Sequence, residues 1–130
     1  MPVAFHPQPG IILICDFDTG FQAPEMVKVR PVVVLSPRRR TSDLVTVVPL
    51  SSTPPAPRLP WHIELPAGAY PPARGPIWAK CDVVATVALR RLDRVRTKGP
   101  QGQRIYSTPA LQPETFAALQ GCVKAALGLP

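Results

Sequence analysis

Prolines are spread along the chain and limit the ways in which it can fold. The 130 residues include 19 prolines, which lie between short apolar runs and are not collected in one tail. Proline interrupts helices and cannot donate to a β-ladder, but it is common in turns and at strand ends. The sequence therefore predicts a body of short strands joined by turns, forming a single domain over residues 1–130.

The run Val32–Leu35 predicts a central strand that is covered on both faces, because its residues are apolar without polar alternation. Pro31 is expected as the first residue of this strand, which places Arg30 immediately before the strand begins. An arginine held beside a rigid strand is a common phosphate ligand, and a plain solvated charge is the alternative.

A second apolar run, 44–50, follows the polar loop 37–43 and predicts an antiparallel hairpin with the central strand. If Ser36 faces Leu44, Arg30 lies opposite Leu50. The hairpin then brings the guanidinium to the same rim as a hydroxyl cluster, namely Ser51, Ser52 and Thr53.

Further strands are predicted at 10–17, 61–65, 77–86 and 104–107, with proline-rich loops at 53–60 and 66–76. Within 61–65 the pattern alternates strictly, so that three apolar residues share one face and His62 and Glu64 share the other. His62 is a candidate general base, or simply a surface histidine.

Lys80 and Asp82 are two residues apart in the predicted strand 77–86 and would share a face with Trp78. A cation, a carboxylate and an aromatic ring on one face suit a nucleotide site. A surface salt-bridge ladder is the alternative, and a tryptophan such as Trp78 also fits in a core.

The chain ends in a predicted amphipathic helix, which starts at Pro113 and stops at Gly128. Its apolar face consists of Phe116, Leu119, Val123 and Leu127. Strands followed by one helix define a β-rich, α+β class.

The net charge of the chain indicates the kind of partner that it binds. A formal charge of +7 favours a polyanion, either nucleic acid or an acidic protein.

Cys15, Cys81 and Cys122 are too widely spaced to predict a disulfide framework or a zinc site, and we interpret them as small buried apolar residues. The apolar runs are too short for a membrane span and no signal peptide is evident, so a cytoplasmic location is expected.

With these elements placed, the sequence resembles the MazF/PemK family of toxins from toxin-antitoxin systems. The resemblance rests on the order of the segments 10–17, 30–37, 48–51, 61–65 and 79–82, with Glu25 five residues before the Arg-Pro pair. It implies a small SH3-like barrel of antiparallel strands with a C-terminal helix, active as an endoribonuclease.

The resemblance also implies roles for individual residues. Arg30 and Ser51 correspond to the main catalytic pair of the family, and Lys80 and Asp82 to a basic residue and an aspartate that some members use. Ser51 stands where threonine is more usual, and the loop 19–29 departs from the family pattern. The residues expected to bind substrate are Glu25, Ser52, Thr53, His62 and Trp78.

The expected reaction is metal-free cleavage of single-stranded RNA, in which the 2′-OH attacks the adjacent phosphate and leaves a 2′,3′-cyclic phosphate. Arg30 and Ser51 would stabilise the phosphorane and Lys80 would add charge, while Asp82 is a better proton acceptor than an arginine. No cofactor is expected. The resemblance implies a homodimer that is neutralised by a cognate antitoxin. The alternatives are a gyrase-inhibiting toxin of the CcdB type and a non-catalytic SH3-like binding module.

Overall fold

The structure, a computed structural model, describes residues 2–18, 20–25, 27–38 and 42–130. The predicted loop 37–43 therefore lies partly outside the described residues. In chain order, the described part contains strands β1 Ile12–Asp16, β2 Val29–Val34, β3 Leu44–Ser51, β4 His62–Glu64, β5 Trp78–Lys80, β6 Ala85–Ala88, β7 Leu92–Asp93, β8 Val95–Lys98 and β9 Arg104–Ser107, followed by helix α1 Pro113–Leu127. The predicted β-rich α+β class is confirmed.

Seven strands form one sheet in the order β4-β5-β3-β2-β1-β7, and β6 also pairs with β3. Strands β8 and β9 form a separate antiparallel hairpin. Because β4 and β7 end the path of hydrogen-bonded neighbours among the described residues, the sheet is open. The expectation of a barrel is corrected in this respect, since no ladder there joins the two ends.

The central strand β2 is buried on both faces, as predicted. Val33 belongs to a cluster that includes Val48 of β3 and Leu119 of the helix. Val32 and Val34 belong to a second cluster on the opposite face. The last three valines of the strand are fully buried, so this part of β2 is a rigid support for the residues that precede it.

The prediction that β2 begins at Pro31 was wrong, because the strand begins at Val29 and places Arg30 opposite Cys15 of β1. Antiparallel partners alternate between hydrogen-bonded and non-bonded pairs. The bond from the Val34 N–H to the Ile11 carbonyl sets the bonded positions, and Pro31 falls at a non-bonded one. The missing N–H of Pro31 therefore removes no hydrogen bond from the β1–β2 ladder. It affects only the edge of β2 that faces β3.

The β2–β3 register differs by one residue from the prediction. The observed pairs include Val32↔Pro49 and Val33↔Val48, so that continuation of the register sets Arg30 opposite Ser51 instead of Leu50. The predicted pairing of Ser36 with Leu44 is wrong, because the N–H groups of Leu35 and Ser36 both donate to the Thr46 carbonyl, which forms a bulge and sets Ser36 beside Thr46. This local bulge could not be anticipated from the alternation of apolar residues.

The helix runs from Pro113 and is capped by Gly128, whose φ of 68° lies in the left-handed region. Leu119 and Val123 are buried against the first cluster, as predicted. Leu127 is 57 % exposed, so its assignment to the buried face was wrong. The apolar stripe extends one turn further than the contact of the helix with the sheet.

All three cysteines were predicted to be small buried apolar residues, and this is confirmed for two of them. Cys15 and Cys81 are fully buried, and Cys122 is half-buried against the first cluster. Burial raises the pKa of each buried thiol to about 12, so both remain protonated and unreactive at neutral pH. No helix within the described ranges is long and apolar enough to cross a membrane.

Candidate active site

Arg30 lies near the start of β2, at the edge of the buried valines, and is half-buried. Its Nε–H donates to the Val27 carbonyl at 3.2 Å, which fixes the plane of the guanidinium. The other four N–H groups of an arginine are then available for a bidentate contact with an anion. The neighbouring thiol of Cys15 is excluded as a nucleophile, because burial keeps it protonated.

Ser51 is the last residue of β3 and is only 6 % exposed. Its Oγ accepts a hydrogen bond from the Thr53 N–H at 3.1 Å. This bond occupies an acceptor position of the hydroxyl and leaves the O–H as a donor. Because Arg30 and Ser51 fall opposite each other in the continued register, their side chains share one face of the sheet.

Both residues line a single cleft with a volume of about 360 Å³. The remaining lining comes from the ends of β2 and β3 and from the loop between β4 and β5, with Ser52, Tyr70 and Arg74 as its other polar side chains. The predicted meeting of the arginine with the hydroxyl cluster on one rim is thus found for Arg30, Ser51 and Ser52. Thr53 is exposed beside them.

Arg74 and Tyr70 are the functional candidates that the sequence did not assign to this cleft. Arg74 places a second positive charge in the cleft with Arg30. The available signal was that Arg74 is the single charged residue in the loop 66–76. Burial raises the pKa of the Tyr70 phenol above its ordinary value, so Tyr70 stays protonated and can serve as a hydrogen-bond donor.

The predicted strand 77–86 is in fact two strands, β5 and β6, joined by a turn. The Val83 N–H donates to the Lys80 carbonyl at 3.1 Å, which ends β5 at Lys80 and leaves Asp82 exposed in the turn. The expectation that Lys80 and Asp82 share a strand face was therefore wrong. Lys80 does share a face with Trp78, which pairs with Ser51, so Lys80 lies on the same side of the sheet as the cleft.

Lys80 and Asp82 do not line the cleft that Arg30 and Ser51 form. Lys80 is two strands away from Arg30 and two residues along β5 from Trp78, so strand spacing and rise per residue together separate the two Cα atoms by roughly 12 Å. Asp82 is further away still, because the chain after Lys80 leads away from the Ser51 end of β3.

The predicted substrate-binding residues Glu25 and His62 are occupied by contacts within the chain. The Glu25 carboxylate accepts a bond from the Gln22 N–H at 2.7 Å and so stabilises its own turn. His62 Nδ1 accepts a bond from the Leu59 N–H at 3.0 Å. A neutral His62 then carries its proton on Nε2, and its Nδ1 is not available as a base.

Trp78 is 9 % exposed, and the guanidinium carbon of Arg58 lies 5.1 Å from its ring centre. Arg58 belongs to the proline-rich loop between β3 and β4, so this loop covers the ring on the same face of the sheet as Lys80. In this arrangement Trp78 cannot stack on a nucleic-acid base. Within the described ranges, no group of three or more His, Cys, Asp or Glu side chains is placed to hold a metal ion.

Comparison with known proteins assigns the chain to a class. Residues 8–127 match the model of the PemK-like, MazF-like toxins of type II toxin-antitoxin systems. The protein therefore belongs to this toxin family, as its motifs predicted. It is also 31 % identical to the uncharacterized protein YifN of Escherichia coli (strain K12), over 95 % of this chain and 93 % of that one.

Solved structures share the fold. MazF from Deinococcus radiodurans superposes with a TM-score of 0.71 at 20 % identity, covering 96 % of this chain and 99 % of that one. An endoribonuclease in complex with its cognate antitoxin, from a mycobacterial species, gives a TM-score of 0.66 at 20 % identity, covering 95 % of this chain and 97 % of that one. Mycobacterium tuberculosis toxin MazF-mt6 gives 0.62 at 23 % identity, covering 95 % of this chain and 99 % of that one.

Proposed function

We propose that the protein is the toxin of a type II toxin-antitoxin system and acts as an endoribonuclease on single-stranded RNA. The observation that carries the proposal is the cleft in which Arg30, Arg74 and the donor Ser51 converge, in a chain of the MazF-like family. Two guanidinium groups and a hydroxyl donor suit a phosphodiester that gains negative charge during cleavage. The fold is shared with proteins that are endoribonucleases.

In this mechanism the phosphate lies against Arg30 and Arg74 and accepts a hydrogen bond from Ser51 Oγ. The 2′-OH of the preceding ribose loses its proton to water and attacks the phosphorus. The bond from phosphorus to the 5′-oxygen breaks, and the leaving oxygen takes a proton from the phenol of Tyr70. The products are a 2′,3′-cyclic phosphate and a 5′-OH. Lys80 adds positive charge from β5.

Asp82 is not assigned the role of base in this scheme. Its position in an exposed turn, outside the cleft, separates it from a phosphate bound by Arg30 and Ser51. A carboxylate at that distance cannot reach the 2′-OH, because proton transfer needs heavy atoms within about 3 Å or one bridging water.

The same proposal extends to the oligomeric state and the protein partner. We expect a homodimer in the cytoplasm, where RNA is available, and neutralisation by a cognate antitoxin. The formal charge of +7 suits an acidic antitoxin segment. Complexes with an antitoxin exist for the mycobacterial endoribonuclease and for the Deinococcus radiodurans MazF that share the fold.

Purified protein should cut a mixed-sequence RNA and leave DNA of the same sequence intact, since only RNA carries the attacking 2′-OH. The fragments should carry 2′,3′-cyclic phosphate and 5′-OH ends, which end-labelling with a kinase detects. Intact RNA after incubation with the folded wild-type protein would overturn the proposal. A supercoiling assay with gyrase then distinguishes a gyrase inhibitor of the CcdB type from a non-catalytic binding module.

Replacement of Ser51 by alanine should lower kcat by roughly 10- to 150-fold, because a hydrogen bond to a charged group contributes about 1.5–3 kcal/mol. Ser51→Thr keeps the hydroxyl and should retain most of the activity. Single-turnover cleavage of one RNA by the three proteins measures the effect. Equal losses in the alanine and threonine variants would show that packing at this buried position, and not the hydroxyl, is what matters.

A further inference from the structure

A basic hairpin lies directly beside the candidate active site. The stretch 94–113 contains Arg94, Arg96, Lys98 and Arg104, and no acidic residue. Most of this stretch forms the β8–β9 hairpin, which is separate from the main sheet. The hairpin is anchored by Val95, which is fully buried in the first core cluster.

The cations are concentrated on one face of this hairpin. Arg96 pairs with Tyr106, and Lys98 pairs with Arg104. Directly paired residues share a face, and residues two apart on one strand also do. Like charges directly opposite each other destabilise a hairpin unless a counter-charge lies between them. The arrangement of Lys98 and Arg104 is therefore suited to a bound anion.

An aromatic ring lies within the same group of cations. The guanidinium carbon of Arg94 is 4.9 Å from the centre of the Tyr106 ring, and Tyr106 is 42 % exposed, whereas Trp78 beneath Arg58 is only 9 % exposed. A ring of this kind next to cations suits a nucleotide, whose base stacks while its phosphate meets the charge. This feature favours RNA over an acidic peptide.

This face is continuous with the catalytic cleft. A cavity of about 460 Å³ is lined by Arg94, Arg96, Arg104 and Tyr106 together with Tyr70, which also lines the cleft of Arg30 and Ser51. Asp93 lines this cavity too, but its Oδ1 accepts the Arg94 N–H at 2.7 Å, so part of its charge is already engaged. An extended chain that leaves the cleft past Tyr70 enters the basic cavity.

We propose that the β8–β9 hairpin is a phosphate-binding extension of the active site, which holds the segment of single-stranded RNA next to the scissile phosphate. The proposal rests on RNA being the substrate. The hairpin binds and positions the RNA but takes no part in the chemical step. It therefore affects KM and the salt dependence of binding, and leaves kcat unchanged.

The test compares Arg96→Gln/Arg104→Gln with the matched double variant Arg90→Gln/Lys124→Gln, which also removes two exposed charges but touches neither cavity. For a 20-nucleotide RNA we expect the hairpin variant to raise KM about tenfold. The slope of log K against log salt should fall by about 1.4, which corresponds to two lost phosphate contacts on a single strand. The control variant should resemble the wild type.

Two further RNA ligands distinguish a failure of this proposal from a failure of the proposed function. A dinucleotide fills only the cleft, so the hairpin variant should cleave it with wild-type KM. A fully 2′-O-methylated RNA cannot be cleaved, and its binding, measured by fluorescence anisotropy, should weaken in the hairpin variant even if the protein proves not to be a nuclease.

Unchanged KM and salt slope in a folded hairpin variant would overturn the proposal while leaving the nuclease function intact. A parallel anisotropy titration uses a glutamate-rich peptide as the probe. If the hairpin variant loses affinity for the peptide and not for the methylated RNA, the surface binds acidic protein, and the RNA proposal is also overturned.

Discussion

Replacement of Arg30 by alanine should lower kcat for RNA cleavage by about 10²–10³-fold, the usual effect of losing one preorganised donor that faces developing negative charge. The loss should be large because the Nε–H bond to the Val27 carbonyl holds this guanidinium in place before substrate binds. The buried valines that follow Arg30 in β2 make the same support rigid. The measurement is the single-turnover rate at saturating RNA.

Arg30→Lys tests whether charge alone is sufficient. Lysine keeps the charge but lacks the planar pair of donors, so only part of the activity should return. Arg90→Ala is the matched control, since Arg90 is exposed and outside the cleft. If Arg30→Ala keeps wild-type activity and a wild-type melting temperature, Arg30 has no catalytic role.

The second large effect concerns stability. Leu119→Ala should lower the free energy of unfolding by about 2–5 kcal/mol, because it leaves a cavity between the helix and the sheet. Leu119 is fully buried in a cluster with Val33 of β2 and Val48 of β3. Truncation of its side chain therefore removes apolar contacts where the helix meets the sheet.

Leu127→Ala is the matched control on the same helix. Leu127 is largely exposed, so its truncation should change the free energy of unfolding by no more than about 0.5 kcal/mol. Urea denaturation of the two variants and the wild type gives both values. Similar losses in both variants would contradict the placement of the helix on the sheet.

Patterns that depend on burial could be predicted from the sequence. The continuous apolar run of β2, the alternation around His62 and the helix from Pro113 each reflect contact with the core. Strand β9 was also predicted at 104–107, where it lies. In each case the pattern repeats over several residues, so one exception does not hide it.

Features that depend on a single local backbone irregularity, such as one bulge or one turn, could not be predicted. The bulge at Leu35 and Ser36 sets Ser36 beside Thr46 and not beside Leu44, and no residue there marks it in the sequence. The turn after Lys80 contains no glycine or proline, so nothing marked the end of β5. Both features concern which side chains meet: the β2–β3 register sets Ser51 across from Arg30, and the turn after Lys80 separates Asp82 from Lys80.

Arg74 shows a third limit of sequence patterns. It lies in an irregular loop, where neither a helical nor a strand period relates a residue to the rest of the fold. Its place in the cleft is set by how the loop 66–76 passes over the ends of β2 and β3. A lone charge in an otherwise uncharged loop is a useful signal, but only the fold shows where that charge lies.

Pro31 has a consequence for how the two sides of the cleft are held. The alternation of bonded positions in β2 points the Pro31 nitrogen toward Leu50 of β3. Because a proline nitrogen has no hydrogen to donate, the paired part of the two strands stops at Val32. Beyond that point Arg30 is paired with Cys15 of β1, and Ser51 is paired with Trp78 of β5. Among the described residues no ladder pair joins Arg30 to Ser51, so the spacing between these two sides of the cleft is set by the outer neighbours of β2 and β3.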